Sequence, residues 1–244
     1  MAPVPRVPAP DRLVDVVRAA QVVFSERGFR RTQMADVARE LGVSAGNLYN
    51  YVESKDVLFE LTLRLALDGE LGDLAGALPV RAAGREPPAG WLRRRLDFVT
   101  DFPVIEAAFE RSEVADPAAE LGAVVLELHD VLDRVRPVVE TLERSVADVP
   151  ELAAVFLPVR RELFARMERY VESRARAGAL RAVADPAAAA RLVVELAFWA
   201  AVRRPRDPDS VSISDERARE ALRDFAVGAL THDAADAARR EQHP

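Results

Sequence analysis

Apolar residues recur at helical spacing along most of the chain. Leu13, Val16, Val17, Ala20, Val23 and Phe24 fall on one helical face, with Asp11 placed to cap its start and Gly28 to stop it. Thr32 is placed to cap a short second helix whose inner face is Met34, Val37, Ala38 and Leu41, ended by Gly42. Ser44 can cap a third, roughly residues 45–51, and Ser54 a fourth that runs through Val57, Leu58, Leu61 and Leu65 to about Leu74. Residues 76–90, with Gly84, Pro87, Pro88 and Gly90, read as a loop. Further helices are predicted over residues 89–101, 103–112, 117–147, 150–176, 186–203 and 214–230, most of them opened by proline or an acidic-proline pair. Pro137 and Pro158 lie inside two of these and predict kinks or breaks. Residues 1–10 and 232–244 are expected to be disordered. No period-two run bounded by Asn-Gly or Asp-Gly occurs, so the fold class is all-α. A group of short N-terminal helices precedes a larger helical bundle.

Composition narrows the chemistry. The chain has 244 residues, 50% hydrophobic and 30% charged, enough apolar material for a sizeable core. The longest stretch without Asp, Glu, Lys or Arg is 12 residues, 41–52, and includes Asn and Ser. A membrane span needs about 20 apolar residues, so no membrane partner is expected. The first ten residues hold four prolines and no apolar run, unlike a signal peptide, and a cytoplasmic location is expected. The absence of cysteine excludes disulfides, thiol catalysis and Cys-ligated metals. Three histidines, His129, His232 and His243, offer little more, so neither a cofactor nor a metal is expected.

A net charge of −6 argues, taken whole, against a nucleic-acid partner. The distribution changes that picture. Residues 1–60 hold eight basic and eight acidic side chains, and residues 61–244 hold 26 and 32. Any contact with DNA therefore falls to the N-terminal quarter, which also holds the one lysine of the chain, Lys55.

Residues 32–51 have the layout of a helix-turn-helix. Two short helices join through Leu41-Gly42-Val43-Ser44, where Gly42 can take the positive φ of a sharp turn. Phe24, Val37, Leu41, Val43 and Leu48 fill a small core beneath them. The second helix keeps a bland outer face of Ala45, Gly46, Asn47 and Asn50. Small side chains let a backbone approach a groove floor, and Asn47 can pair with base edges. Thr32, Tyr49, Tyr51, Lys55, Arg30 and Arg31 stand around it as candidate phosphate donors. The competing reading is a solvated helical hairpin without a ligand. The absence of acidic groups from residue 41 to 52 favours DNA.

The stretch FSERGFRRTQMADVARELGVSAGNLYNYVESKDVLF, residues 24–59, resembles the DNA-binding signature of the TetR family of transcriptional regulators. The matching points include Gly28-Phe29, Thr32, Val37-Ala38, Gly42-Val43-Ser44, Gly46, Leu48-Tyr49, Tyr51, Ser54-Lys55 and Leu58-Phe59. Asn47 and Val52 depart from the family's common residues. The resemblance implies that Thr32, Tyr49 and Lys55 hold the phosphate backbone, with Arg30 and Arg31 nearby. Gln33, Ala45, Gly46 and Asn47 would face the major groove, with Asn50 and Tyr51 at its edge.

The resemblance also implies a plan for the whole chain: a helix-turn-helix domain over 11–54, a connecting helix over 55–75, and a ligand-binding and dimerisation domain over 76–231. Members are typically homodimers. Here the interface would use Leu192, Leu196, Trp199 and Ala200 of one late helix with Leu222 and Phe225 of the next. Trp91, Phe98, Phe102, Phe109, Phe156 and Phe164 are candidates to line a pocket for a mainly apolar small-molecule effector. His129 either lines that pocket or is a hydrogen-bonded core residue. The expected partner is double-stranded DNA carrying a palindromic operator, released when the effector binds. Against an enzyme, the chain has no His-Glu-x-x-His, Gly-x-Ser-x-Gly or Walker-type loop. A helical scaffold that has lost DNA binding is the third reading, opposed by the Thr32, Tyr49 and Lys55 set.

Overall fold

The structure, a computed structural model, describes residues 10–83, 88–99, 101–210 and 212–232. Side chains at 10, 11, 75, 88 and 97–99 are also left undescribed, so the expectations for Phe98 and for both termini lie outside the described residues. The described residues form ten α-helices and no strand: α1 (Pro10–Arg31), α2 (Met34–Leu41), α3 (Ala45–Leu48), α4 (Lys55–Asp68), α5 (Pro88–Val99), α6 (Pro103–Glu110), α7 (Pro117–Ser145), α8 (Pro150–Arg176), α9 (Pro186–Phe198) and α10 (Asp215–Leu230).

The chain divides into two units. One takes the described residues up to Asp97 together with Pro137–Leu157, and the other takes Phe98–Arg136 and the described residues from Pro158 onward. The cuts inside α7 and α8 fall at the two internal prolines. Neither proline breaks its helix. The division also differs from a single cut near residue 75, because the end of α7 and the start of α8 join the N-terminal helices.

In the first unit, Leu13, Val16, Val17, Ala20, Val23 and Phe24 of α1 are all buried against α2 and α4, as their spacing predicts. Phe24, Phe29 and Phe59 form one aromatic cluster, with Phe59 edge-on at 5.0 Å to both partners. Edge-to-face pairs are worth about 1 kcal/mol each beyond the area they bury. Gly28 interrupts α1 with φ 76° and ψ 170°, so the helix proper stops where the sequence predicts. Gly42 takes φ 72°, and Val43 N–H donates to the Ala38 carbonyl at 2.9 Å, closing α2.

Several predicted ends shift. The N-cap of α2 is Gln33, not Thr32: Asp36 accepts from Gln33 N–H at 2.9 Å in a capping box. The third helix, α3, stops at Leu48, and residues 49–51 continue as a turn. Gly69, at φ 77°, ends α4 at Asp68, and a 3-10 turn follows over Gly72–Gly76. The expected loop is partly ordered, since Val80 N–H donates to Tyr51 O at 2.8 Å and Glu53 N–H to Val80 O at 3.0 Å.

In the second unit, α9 passes into a π-helical turn over Trp199–Arg203. The carbonyls of that turn find arginines: Arg204 Nε donates to Ala200 O and Arg136 Nη1 to Ala201 O. Arg174, buried at 5% exposure, pairs with Glu120 at 2.7 Å and donates to the Ala108 and Arg111 carbonyls at the end of α6. Burial, then Glu120, pushes the hydroxyl of Tyr170 above the ordinary tyrosine range, so it stays a donor to Glu120.

Candidate nucleic-acid interface

The helix-turn-helix is built on a few buried side chains. Val37 and Leu48 are fully enclosed, and Ala38 and Met34 nearly so. That packing turns the opposite face of α3 outward. Gly46, Tyr49 and Asn50 are exposed, and Ala45 and Asn47 partly so. A Cβ on Gly46 would meet no atom within 4 Å, so nothing inside the protein demands a glycine there. Asn50 Nδ2 donates to Asn47 Oδ1 at 3.2 Å, leaving the Asn47 amide hydrogens directed away from that partner.

Around α3 the expected donors separate into two groups. Arg30, Arg31, Gln33 and Tyr49 are exposed, with Tyr49 at 50%. Thr32 and Tyr51 are buried instead, at 1% and 6% exposure. Thr32 gives its hydroxyl proton to the Gly28 carbonyl at 2.8 Å. Lys55 is half-buried. Its Nζ donates to Phe29 O at 2.9 Å and Thr32 O at 3.0 Å, and sits 4.3 Å from the Phe29 ring centroid. Asp36, missed by sequence reading, organises the start of α2. The Gln33 N–H, then Arg27 and Arg39, hold its carboxyl below the ordinary carboxylate value.

The aromatic set expected to line a pocket is spread over both units. Trp91 and Phe156 are buried in the first. In the second, Phe109 stands at the surface, Phe164 lies under the Arg191 guanidinium at 4.1 Å, and Phe102 borders a crevice of only about 10 Å³. His129 is buried, with Nδ1 3.1 Å from Asp130 and no protein partner on Nε2 among the described residues. A larger cavity, about 550 Å³, opens in the first unit between the end of α4, the following 3-10 turn and α5, lined by Arg64, Asp68, Glu70 and Arg95 with Leu71 and Leu74. None of the expected aromatics whose side chains are described lines it. Of the expected interface residues, Leu192 and Phe225 are about two-thirds exposed and Leu196 and Trp199 partly so. Ala200 and Leu222 are buried within their own unit.

Residues 16–62 match the family described as bacterial regulatory proteins, tetR family. The N-terminal helices are similar to those of the tetR family. The match runs from within α1 to within α4. A relative, the HTH-type transcriptional repressor KstR2 of Mycolicibacterium smegmatis, is 31% identical over 107 residues, 43% of this chain and 49% of that protein. The chain spans between 25% and 49% of the length of the curated relatives it matches. The ketosteroid transcriptional regulator KstR2 of Mycobacterium tuberculosis has the same fold at a TM-score of 0.54, with 18% identity, over 93% of this chain and 98% of that one. AibR, solved in complex with isovaleryl coenzyme A and operator DNA, aligns at a TM-score of 0.50 with 16% identity over 88% of this chain and 97% of that one.

Proposed function

We propose that this chain is a sequence-specific, double-stranded-DNA-binding transcriptional repressor that acts as a homodimer in the cytoplasm and leaves a palindromic operator when a small-molecule effector binds. The observation that carries the reading is the exposed, uncharged face of α3 within a family-typical head. Gln33, Ala45, Gly46, Asn47 and Asn50 meet the major groove, and Tyr49, Arg30 and Arg31 contact phosphates on its banks. One such short helix reads few bases, so a twofold dimer reading two half-sites about 34 Å apart supplies the rest. Leu192, Leu196, Trp199 and Phe225, apolar and unburied, suit the dimer face. AibR, which shares the fold, is a case in which both an operator and a small ligand are bound.

The cavity beside α4 has the size of a small-molecule site. Its arginines and carboxylates suit a polar, charge-bearing effector rather than the mainly apolar one expected from the sequence. No helix among the described residues is long and apolar enough to cross a membrane. The test is selection of bound duplexes from a random pool. Enrichment of a palindrome supports the reading, and recovery of no duplex refutes it.

A further inference from the structure

We propose that residues 78–82 are a strap that ties the wall of the cavity beside α4 to the turn at the end of α3, so that the cavity sets the attitude of α3 by a route other than α4 itself. The inference rests on the DNA-binding reading above and adds a means of regulation to it.

With four residues, α3 is too short to hold its own direction, which is set by the joints on either side of it. One joint is the Gly42 turn from α2. The other runs through residues 49–54, from Tyr51 N–H, which donates to Leu48 O at 2.9 Å, to Ser54, the cap of α4. Val80 grips this second joint in both directions. Its N–H donates to Tyr51 O at 2.8 Å, and its carbonyl accepts from Glu53 N–H at 3.0 Å, making a parallel bridge to Val52. Ala82 N–H adds a bond to Glu53 Oε1, and Val52 and Val80 are both buried. The far end of the strap begins at the cavity, where Leu71, Gly72 and Leu74 form part of the wall. The 3-10 turn there packs on α1. The return from this turn to Val80 has little slack. The 14 residues of α4 set its ends about 21 Å apart. Even running straight back along α4, a five-residue 3-10 turn and the four residues from Gly76 to Val80 reach at most about 24 Å. In the same cavity Arg95 of α5 pairs with Asp68 of α4 at 2.6 Å. A charge-bearing occupant competes for that pair and meets the turn that walls the cavity. Displacement of the turn then pulls on residues 51–53 through the strap.

The test uses the full chain and a duplex selected from the random pool. Fluorescence anisotropy is read at several salt concentrations, at a temperature where thermal melts show every variant folded. Val80→Pro removes the N–H given to Tyr51, and is expected to bind roughly tenfold more weakly with an unchanged slope of log affinity against log salt. Glu53→Ala and Glu53→Gln remove the same charge, but glutamine keeps an oxygen for the Ala82 N–H. The alanine variant is expected to bind roughly threefold more weakly than the glutamine one. Leu74→Ala alters the cavity wall, and is expected to change affinity roughly threefold on its own and not at all beside Val80→Pro, because the link that carries its effect is cut. Hydrogen exchange reads the strap directly: the Glu53 amide is expected to be protected in the unmodified chain and to lose that protection in Val80→Pro. The proposal is overturned if that amide exchanges freely in the unmodified chain, if Val80→Pro binds normally or changes the slope, or if the two Glu53 variants bind alike. It is equally overturned if Leu74→Ala has the same effect, or none, in both backgrounds. Failure of the unmodified protein to bind any selected duplex refutes the functional reading itself, which is a different outcome.

Discussion

At φ 76° and ψ 170°, with the Arg144 carbonyl oxygen 2.4 Å from where a Cβ would stand, Gly28 has two independent reasons to lack a side chain. Gly28→Ala is expected to cost about 3 kcal/mol and to lower the melting midpoint by roughly 6–12 °C. A thermal melt followed by circular dichroism reads this, and an unchanged midpoint contradicts it. The sequence marks Gly28 as a helix stop, but only the fold reveals the second reason, because Arg144 is remote in the chain. The same separation hides the contacts of Lys55. Its partners are backbone carbonyls 26 and 23 positions away, and a carbonyl carries no residue-type signal. Ser145, whose Oγ accepts from Phe29 N–H, is 116 positions from it. Thr32, Tyr49 and Lys55 look alike from sequence, as three polar residues beside a recognition helix. Burial separates them: one hydroxyl faces solvent, one is sealed inside, and the lysine is half-buried.

Among the elements, α1 was the most legible, because six apolar residues at helical spacing leave one packing solution. The ends of α2, α3 and α4 were less so. Thr32 and Gln33 are adjacent polar residues, and the cap goes to the one whose backbone N–H reaches Asp36, three positions on. That carboxylate gives α2 a pH dependence. Its hydrogen bond from Gln33 holds it below its ordinary value of 3.8 in the folded chain. Its stabilisation is therefore fully present above that value and is lost as pH falls through the folded one. Unfolding measured between neutral and strongly acid pH is expected to show Asp36→Asn losing stability at neutral pH and converging with the unmodified protein in acid. A constant difference across the range contradicts this. Pro137 and Pro158 predict kinks or breaks, and neither breaks its helix. Long helices absorb a single missing N–H, and the prolines instead fall where the two units divide.

For the whole molecule, the all-α class followed from the periodicity of the chain and the absence of strand patterns. A ligand site is less legible, because large aromatic residues at helical spacing fill cores as readily as they line pockets, and one cavity among the described residues is walled by charged residues of α4 and α5. Oligomerisation belongs to this scale as well. Leu192 and Phe225 are 66% and 65% exposed, apolar surface that the proposed dimer would cover. The double variant Leu192→Glu with Phe225→Glu is expected to sediment as a monomer and to bind the selected duplex at least tenfold more weakly, because one head alone reads half a site. An unchanged sedimentation coefficient contradicts that interface. The outward face of α3 remains the centre of the account. The most direct measurement is duplex selection run side by side on the unmodified protein and on Asn47→Ala. The account predicts a palindrome from the first, and from the second the same palindrome with its base preference relaxed at one symmetric pair of positions. Identical motifs from both proteins, or no motif from either, would contradict it.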